Sequence, residues 1–238
     1  MKALILAGGR GKRLANLSEN SNKCMLRING RHVIEYSLDN AVDAGVEEIV
    51  LVVGYRAEEI INHFGISYRG KTIKYVIQAE QKGLVHAIEC AQSAVAGADF
   101  MLLLGDEILK KPRHREMIEY FSRNNAFVVC GILKVDDRER IKKTYTLVKD
   151  ADDIVYRLVE KPHTPLNDYM GTGDCVFRNA IYNYIKFTPL HHERNEKELP
   201  DLIQSAIDAG ESVRSFFICE DYTNINSKDD IDRDFTVG

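Results

Sequence analysis

The run Gly8-Gly9-Arg10-Gly11-Lys12-Arg13 could hold a polyphosphate. Glycine has no Cβ, so backbone N–H groups can approach an anion closely. Arg13 and, ten residues on, Lys23 add the positive charge that a triphosphate needs. The P-loop pattern does not fit, because Gly11-Lys12 is followed by Arg13 and Leu6 stands five positions before Gly11. The dinucleotide fingerprint fails as well, because Leu14 stands where its third glycine belongs.

A carboxylate that faces phosphates normally does so through a metal ion. Leu102-Leu103-Leu104-Gly105-Asp106-Glu107 places one just past an apolar run. Mg²⁺ takes oxygen ligands, usually one or two carboxylates with phosphate and water. Asp106 is the candidate ligand, and Glu107 is read as a neighbour turned away from it. Asn224 and Asn226 flank Ile225 and project to one face of an extended segment, so either amide oxygen could complete the metal site. Ser227 with Asp229 and Asp230 also makes a good helix start. His191-His192-Glu193 has no spaced partner ligands and is not read as a metal site. Arg113-His114-Arg115 reads as a solvated helix start, and His86 as a helix residue rather than a catalyst.

These residues need a scaffold. The run 2–7 is a short buried strand, and the glycine loop leaves its end. A helix over 33–44, a strand at 48–53, a helix at 57–64, a strand at 73–77, a helix at 84–95 and a strand at 100–104 follow. This β-α rhythm implies a mostly parallel sheet with helices on both faces. Strands are expected at 126–135, 145–149 and 154–159, the last two joined by the turn Asp150-Ala151-Asp152-Asp153. Helices at 179–186 and 199–209, a strand at 213–219 and a final helix at 228–235 complete the pattern. Ligands of open α/β sheets bind at the carboxyl ends of the strands. The glycine loop, Gly54-Tyr55, Gln78 and Gly105-Asp106 all fall on that edge.

The chain has 238 residues, 45% hydrophobic and 29% charged, which suits a globular domain. A net charge of −4 argues against a nucleic-acid-coating surface. No apolar run approaches the roughly twenty residues that span a bilayer, so no membrane partner is expected. The chain begins on a core strand rather than a signal peptide. The five cysteines make no C-x-x-C pair, so they read as thiols of a reducing, cytoplasmic setting.

At this point the chain resembles the nucleotidylyltransferases, especially those acting on sugar 1-phosphates. The resemblance rests on 6–14, Asn22-Lys23-Cys24-Met25, Gln78 with Gly83-Leu84-Val85-His86-Ala87, Gly105-Asp106, Val159-Glu160-Lys161-Pro162, Gly171-Thr172-Gly173 and 224–230, in the family's order. It implies an α/β fold: a Rossmann-like nucleotide-binding three-layer sandwich with a mixed, mostly parallel central sheet. The whole of 1–238 would be a single nucleotidyltransferase domain, with a nucleotide half over about 1–110 and a sugar-phosphate half over about 111–238. Leu6, Ala7, Gly8, Gly9 and Gly11 resemble the triphosphate loop, and Gln78 and Gly83 the residues that read the base. Arg13, Lys23 and Lys161 resemble the catalytic cations: on the departing pyrophosphate, the α-phosphate and the acceptor phosphate. Asp106 resembles the first metal ligand, and it also counts among the substrate contacts with Glu160, Lys161 and Gly173. Asn224 or Asn226 would be the late Mg²⁺ ligand, where aspartate is more usual.

The departures are informative. Asn22 and Cys24 flank Lys23 where prolines are common, which predicts a less rigid turn. Lys12 replaces the usual Thr or Ser and adds charge to the loop. Asp174 stands where an apolar residue is usual, which predicts an altered substrate preference. The implied partners are an NTP and a sugar 1-phosphate or a similar phosphorylated acceptor, with assembly into a homo-oligomer left open. A cytidylyltransferase for phosphocholine or a phosphonate is the alternative within the class. A non-catalytic nucleotide-sugar-binding protein is the alternative outside it. A metal-dependent glycosyltransferase would normally show an Asp-x-Asp, which Asp106-Glu107-Ile108 is not.

Overall fold

This computed structural model describes residues 1–9, 21–226 and 230. Gly11, Lys12 and Arg13 lie outside the described residues, as does the expected final helix apart from Asp230.

In chain order the elements begin with β1 (Lys2–Ala7), a 3₁₀ turn at Lys23–Met25, and the short hairpin β2 (Arg27–Ile28) and β3 (Arg31–His32). Next come α1 (Val33–Asp43), β4 (Ile49–Val53), α2 (Ala57–Phe64), β5 (Ser67–Tyr68) and β6 (Lys71–Ile77). Then follow α3 (Leu84–Cys90), α4 (Gln92–Val95), β7 (Phe100–Leu104), β8 (Glu107–Lys110) and α5 (His114–Arg123). β9 (Val128–Lys134), a 3₁₀ segment at Arg138–Lys143, β10 (Tyr145–Lys149), β11 (Val155–Glu160) and β12 (Tyr169–Phe177) lead into a longer 3₁₀ segment at Asn179–Phe187. The described chain ends with α6 (Leu199–Asp208), β13 (Val213–Phe217) and β14 (Asp221–Asn224).

The main sheet runs in the order β13-β9-β12-β7-β1-β4-β6-β5. β7, β1, β4 and β6 are parallel, and β12 runs antiparallel between β7 and β9. The sheet is thus mixed and mostly parallel, with helices on both faces. Alternation along β1 shows why: Ala3, Ile5 and Ala7 face one core, Leu4 and Leu6 the other. The first core is covered by Ile34 and Leu38 of α1, Ile60 of α2, and Met117 and Phe121 of α5. The second is covered by Val85 and Ile88 of α3, Ile181 and Ile185, and Leu202 and Ile203 of α6. Each fully buried Leu, Ile or Phe contributes about 1.5–3 kcal/mol. The sheet is therefore the rigid platform on which the loops at the carboxyl ends of its strands stand.

One irregularity bears on the site. Gly171 pairs with Ile132 and Cys175 with Cys130, so Thr172, Gly173 and Asp174 together stand opposite Gly131. Such a bulge re-aims side chains and is common beside active sites.

Candidate active site

The carboxyl end of β1 passes directly into Gly8 and Gly9 at the floor of a cavity of about 550 Å³. Leu6, Gln78, Gly83, Leu84, Ala87 and Asp106 are among the other lining residues. Gly8 is packed so closely that a Cβ there would stand 2.8 Å from Gln78 Oε1. The Gln78 amide is buried, and its Nε2 donates to the carbonyl of Gly83 at 3.1 Å and meets His86 Nδ1 at the same distance. Gly83 has a φ of +90° at the start of α3, a conformation that favours glycine. The base-reading candidates Gln78 and Gly83 are therefore joined to one another and to the glycine loop. Ala7 is buried under the loop, and its carbonyl accepts a hydrogen bond from Asn22 Nδ2.

That bond belongs to the turn that carries Lys23. Asn22 is completely buried and its side chain is fully used: Nδ2 donates to the carbonyls of Ala7 (3.1 Å) and Tyr55 (2.7 Å), and Oδ1 accepts from Cys24 N (2.9 Å). Its backbone N–H donates to Glu59 Oε2 at 2.8 Å. The expected loss of rigidity here is corrected: hydrogen bonds to Ala7 at the end of β1 and to Tyr55, just past β4, take the place of proline. Burial pushes the Cys24 thiol well above the usual range, so it is packing rather than a nucleophile.

From this turn the Lys23 ammonium reaches Asp106 Oδ2 at 2.5 Å, Asn226 Oδ1 at 3.0 Å and Asn224 Oδ1 at 3.3 Å. Asp106 follows β7, and Asn224 ends β14, so three separate parts of the chain meet at one point. Three oxygens, one of them charged, converge on a single buried cation. This donor set suits a hard divalent ion, with phosphate and water completing its shell. The residues therefore fit Mg²⁺, with Asp106, Asn224 and Asn226 as the oxygens that would hold it.

A second cavity of about 620 Å³ adjoins the first and shares Leu84 and Leu104 with it. Glu160, Lys161, Gly173, Asn224 and Asn226 line it. Lys161 has a φ of +41° and pairs through Nζ with Glu160 Oε1 at 2.7 Å. Burial raises the Glu160 carboxyl above its ordinary value, with the Lys161 charge opposing. The described candidates other than Ala7 and Lys23 thus line two joined cavities, and Lys23 reaches them through its bonds to Asp106, Asn224 and Asn226.

Sequence reasoning missed Glu107. It does not turn away: it is 2% exposed and lines the second cavity. Burial, then the charges of Asp174 and Asp106, push its carboxyl well up. The signal was the pairing of Glu107 with Asn224 across β8 and β14, which requires the register of two strands not foreseen.

Asp174, expected to alter substrate preference, does not line the second cavity: it is 1% exposed and meets His114 Nε2 at 2.7 Å. One other expectation is corrected. The bulge places Gly173 toward the cavity and the next side chain toward α5. His114 is accordingly buried rather than solvated at the start of α5, while Arg113 and Arg115 are exposed. His191 and His192 stack on one another, and among the described residues no cluster of three or more His, Cys, Asp or Glu could hold a metal.

Residues 2–222 match the nucleotidyl transferase family. The chain is 32% identical over 213 residues to UTP–glucose-1-phosphate uridylyltransferase AglF of Haloferax volcanii, covering 90% of this chain and 86% of that one. It is 31% identical over 222 residues to a glucose-1-phosphate thymidylyltransferase of Streptomyces griseus, covering 92% of this chain and 60% of the relative. It spans about half, 48%, of the bifunctional protein GlmU of Methanococcus vannielii, at 30% identity over 88% of this chain. In fold it is similar to UDP-glucose pyrophosphorylase crystallised with UDP-glucose, with a TM-score of 0.86, 20% identity, and 97% and 95% of the two chains covered.

Proposed function

The chain belongs to the nucleotidyl transferase family, and from that premise we propose that it transfers a nucleoside monophosphate from an NTP to a sugar 1-phosphate. The products are an NDP-sugar and pyrophosphate. The observation that supports this reading is the seam between the two cavities. Asp106 lines one, Asn224 and Asn226 line the other, and Lys23 bonds to all three. A nucleotide in the first cavity and an acceptor in the second would present their phosphates to this seam.

An oxygen of the acceptor phosphate attacks the α-phosphorus. The new O–P bond forms as the bond to the departing pyrophosphate breaks. A phosphate monoester has a second pKa near 6 and is already nucleophilic at neutral pH, so no strong general base is needed. Lys161 would hold the acceptor phosphate, with Glu160 orienting it and accepting sugar hydroxyls. Lys23 would neutralise charge growing on the α-phosphate, and Arg13, from outside the described residues, charge on the leaving group. Bound by Asp106 with Asn224 or Asn226, Mg²⁺ would supply charge neutralisation on the triphosphate oxygens. A cytoplasmic setting suits the five free cysteines, and among the described residues no helix is long and apolar enough to cross a membrane.

The test is pyrophosphate release with UTP, dTTP, CTP, GTP and ATP, each against a panel of sugar 1-phosphates and phosphocholine, with and without a chelator. Release with at least one sugar 1-phosphate, abolished by the chelator, is expected. Release only with phosphocholine, or with no acceptor at all, would refute the sugar reading.

A further inference from the structure

We infer that Glu107 is a positioning residue that sets the acceptor floor and the late metal-facing oxygen at once. This role rests on the nucleotidyl-transfer reading and adds a component to it. The Glu107 carboxylate is 2% exposed and gathers donors from two strands. Oε2 accepts the Gly173 N–H of β12 at 3.1 Å. Oε1 accepts the Tyr222 hydroxyl at 2.6 Å and Asn224 Nδ2 at 3.3 Å, both from β14.

Each bond does something specific. Gly173 stands in the bulge opposite Gly131, where the ladder between β12 and β9 is interrupted, so its place must be fixed from elsewhere. Leu104 packs against its Cα so closely that a Cβ would stand 2.4 Å from Leu104 Cδ1. Glu107 takes its N–H. Together they hold the Gly173 backbone at the wall of the acceptor cavity. At Asn224, donation of Nδ2 to Glu107 turns Oδ1 the other way, toward the Lys23 ammonium at 3.3 Å. Asn226 Nδ2 donates to the same Oδ1 at 2.7 Å, so the Asn224 amide is held at both ends, and Glu107 supplies the acceptor for its donor end. Without that acceptor the amide is held at Oδ1 alone, which loosens the oxygen that faces Lys23.

Glu107→Gln keeps the shape and loses one acceptor. Its NH₂ must oppose either the Gly173 N–H or the donors of β14. Equilibrium binding separates the consequences, with glucose 1-phosphate, Mn²⁺ (by electron paramagnetic resonance) and UMP as probes. We expect E107Q to bind glucose 1-phosphate and Mn²⁺ each about tenfold more weakly, as outer-shell partners of metal ligands do. UMP, which would use the first cavity, should bind as in wild type. If E107Q does not fold, Glu107→Asp, which keeps the carboxyl but withdraws it from Gly173 and Asn224, should show the same double loss. Unchanged affinity for both probes overturns the role, and so does an equal loss of UMP binding, which marks general damage. Wild-type protein that binds neither probe refutes the nucleotidyl-transfer reading itself, whereas wild-type binding with E107Q unaltered refutes only the part given to Glu107.

Discussion

The ammonium of Lys23 lies 2.5 Å from Asp106 Oδ2, a contact between residues 83 positions apart that joins the turn after the glycine loop to the end of β7. On the proposed reading the lysine occupies the point that a divalent ion would take, and loading with a metal-bound nucleotide would draw the ammonium off Asp106 and onto phosphate. Asp106→Ala should abolish metal-dependent turnover, lowering it by at least about 10²-fold. It also strips a side chain only 8% exposed of its one carboxylate partner among the described residues. We expect a stability loss of roughly 2–3 kcal/mol by urea unfolding, less than for a fully buried pair because Asp106 keeps some solvent. Lys23→Ala should cost about 10²–10³ in kcat, as loss of one preorganised charge does. Near-normal turnover by either variant contradicts these roles.

Asn22 fixes where that lysine starts. Asn22→Ala removes the donor to the carbonyls of Ala7 and Tyr55 and the acceptor of the buried Cys24 N–H. The cost should be about 2–3 kcal/mol in urea unfolding, with a fall in kcat as the Lys23 turn loosens. Proline would suit the backbone, with φ −66° and ψ 135°, but it would delete the N–H donated to Glu59. An unchanged urea midpoint for Asn22→Ala would show that the turn is held by other means.

Gly8 should separate nucleotide recognition from stability. A Cβ there meets only the far end of Gln78 at less than 3 Å, and that amide can swing aside. Gly8→Ala should therefore leave the melting temperature within a few degrees of wild type. Displacing Gln78 from Gly83 should raise the nucleotide KM about tenfold, the equivalent of one hydrogen bond of about 1.4 kcal/mol. Loss of folding with no kinetic phenotype in the surviving protein would place the constraint on the backbone instead.

How far the sequence could be read depended on what carried the signal. The helix at 57–64 and the strands at 100–104 and 145–149 agree with α2, β7 and β10 at both ends, because each is an apolar pattern bounded by turn residues. β12 escaped notice because Gly171, Gly173 and Asp174 interrupt its pattern, and those residues are the bulge. The helix start read at Arg113-His114-Arg115 agrees with α5, but the body of that helix was not read, because its apolar pair Met117 and Phe121 lies among charged residues. The candidate site was legible where a residue type carries its own chemistry, as Lys23 and Asp106 do. The position of Glu107 between β12 and β14 depends on strand register, which no local pattern encodes.

Glu160 provides a test through pH. Its native carboxyl is raised above the ordinary value of 4.5 by burial, with the Lys161 charge opposing. Between the unfolded and the native value, the folded protein binds more protons than the unfolded chain. Stability therefore falls as pH rises through that window. Glu160→Gln cannot ionise, so it escapes the loss. Relative to wild type it should gain nothing at or below pH 4.5, gain progressively above it, and level off once the native carboxyl is fully ionised. Urea midpoints of both proteins between about pH 4 and 8 measure the difference. The same variant should bind the acceptor about 10- to 100-fold more weakly, since hydrogen bonds to a charged group contribute roughly 1.5–3 kcal/mol. A gap between the midpoints that shrinks as pH rises would mean that the Lys161 charge outweighs burial and that Glu160 is stabilising when ionised.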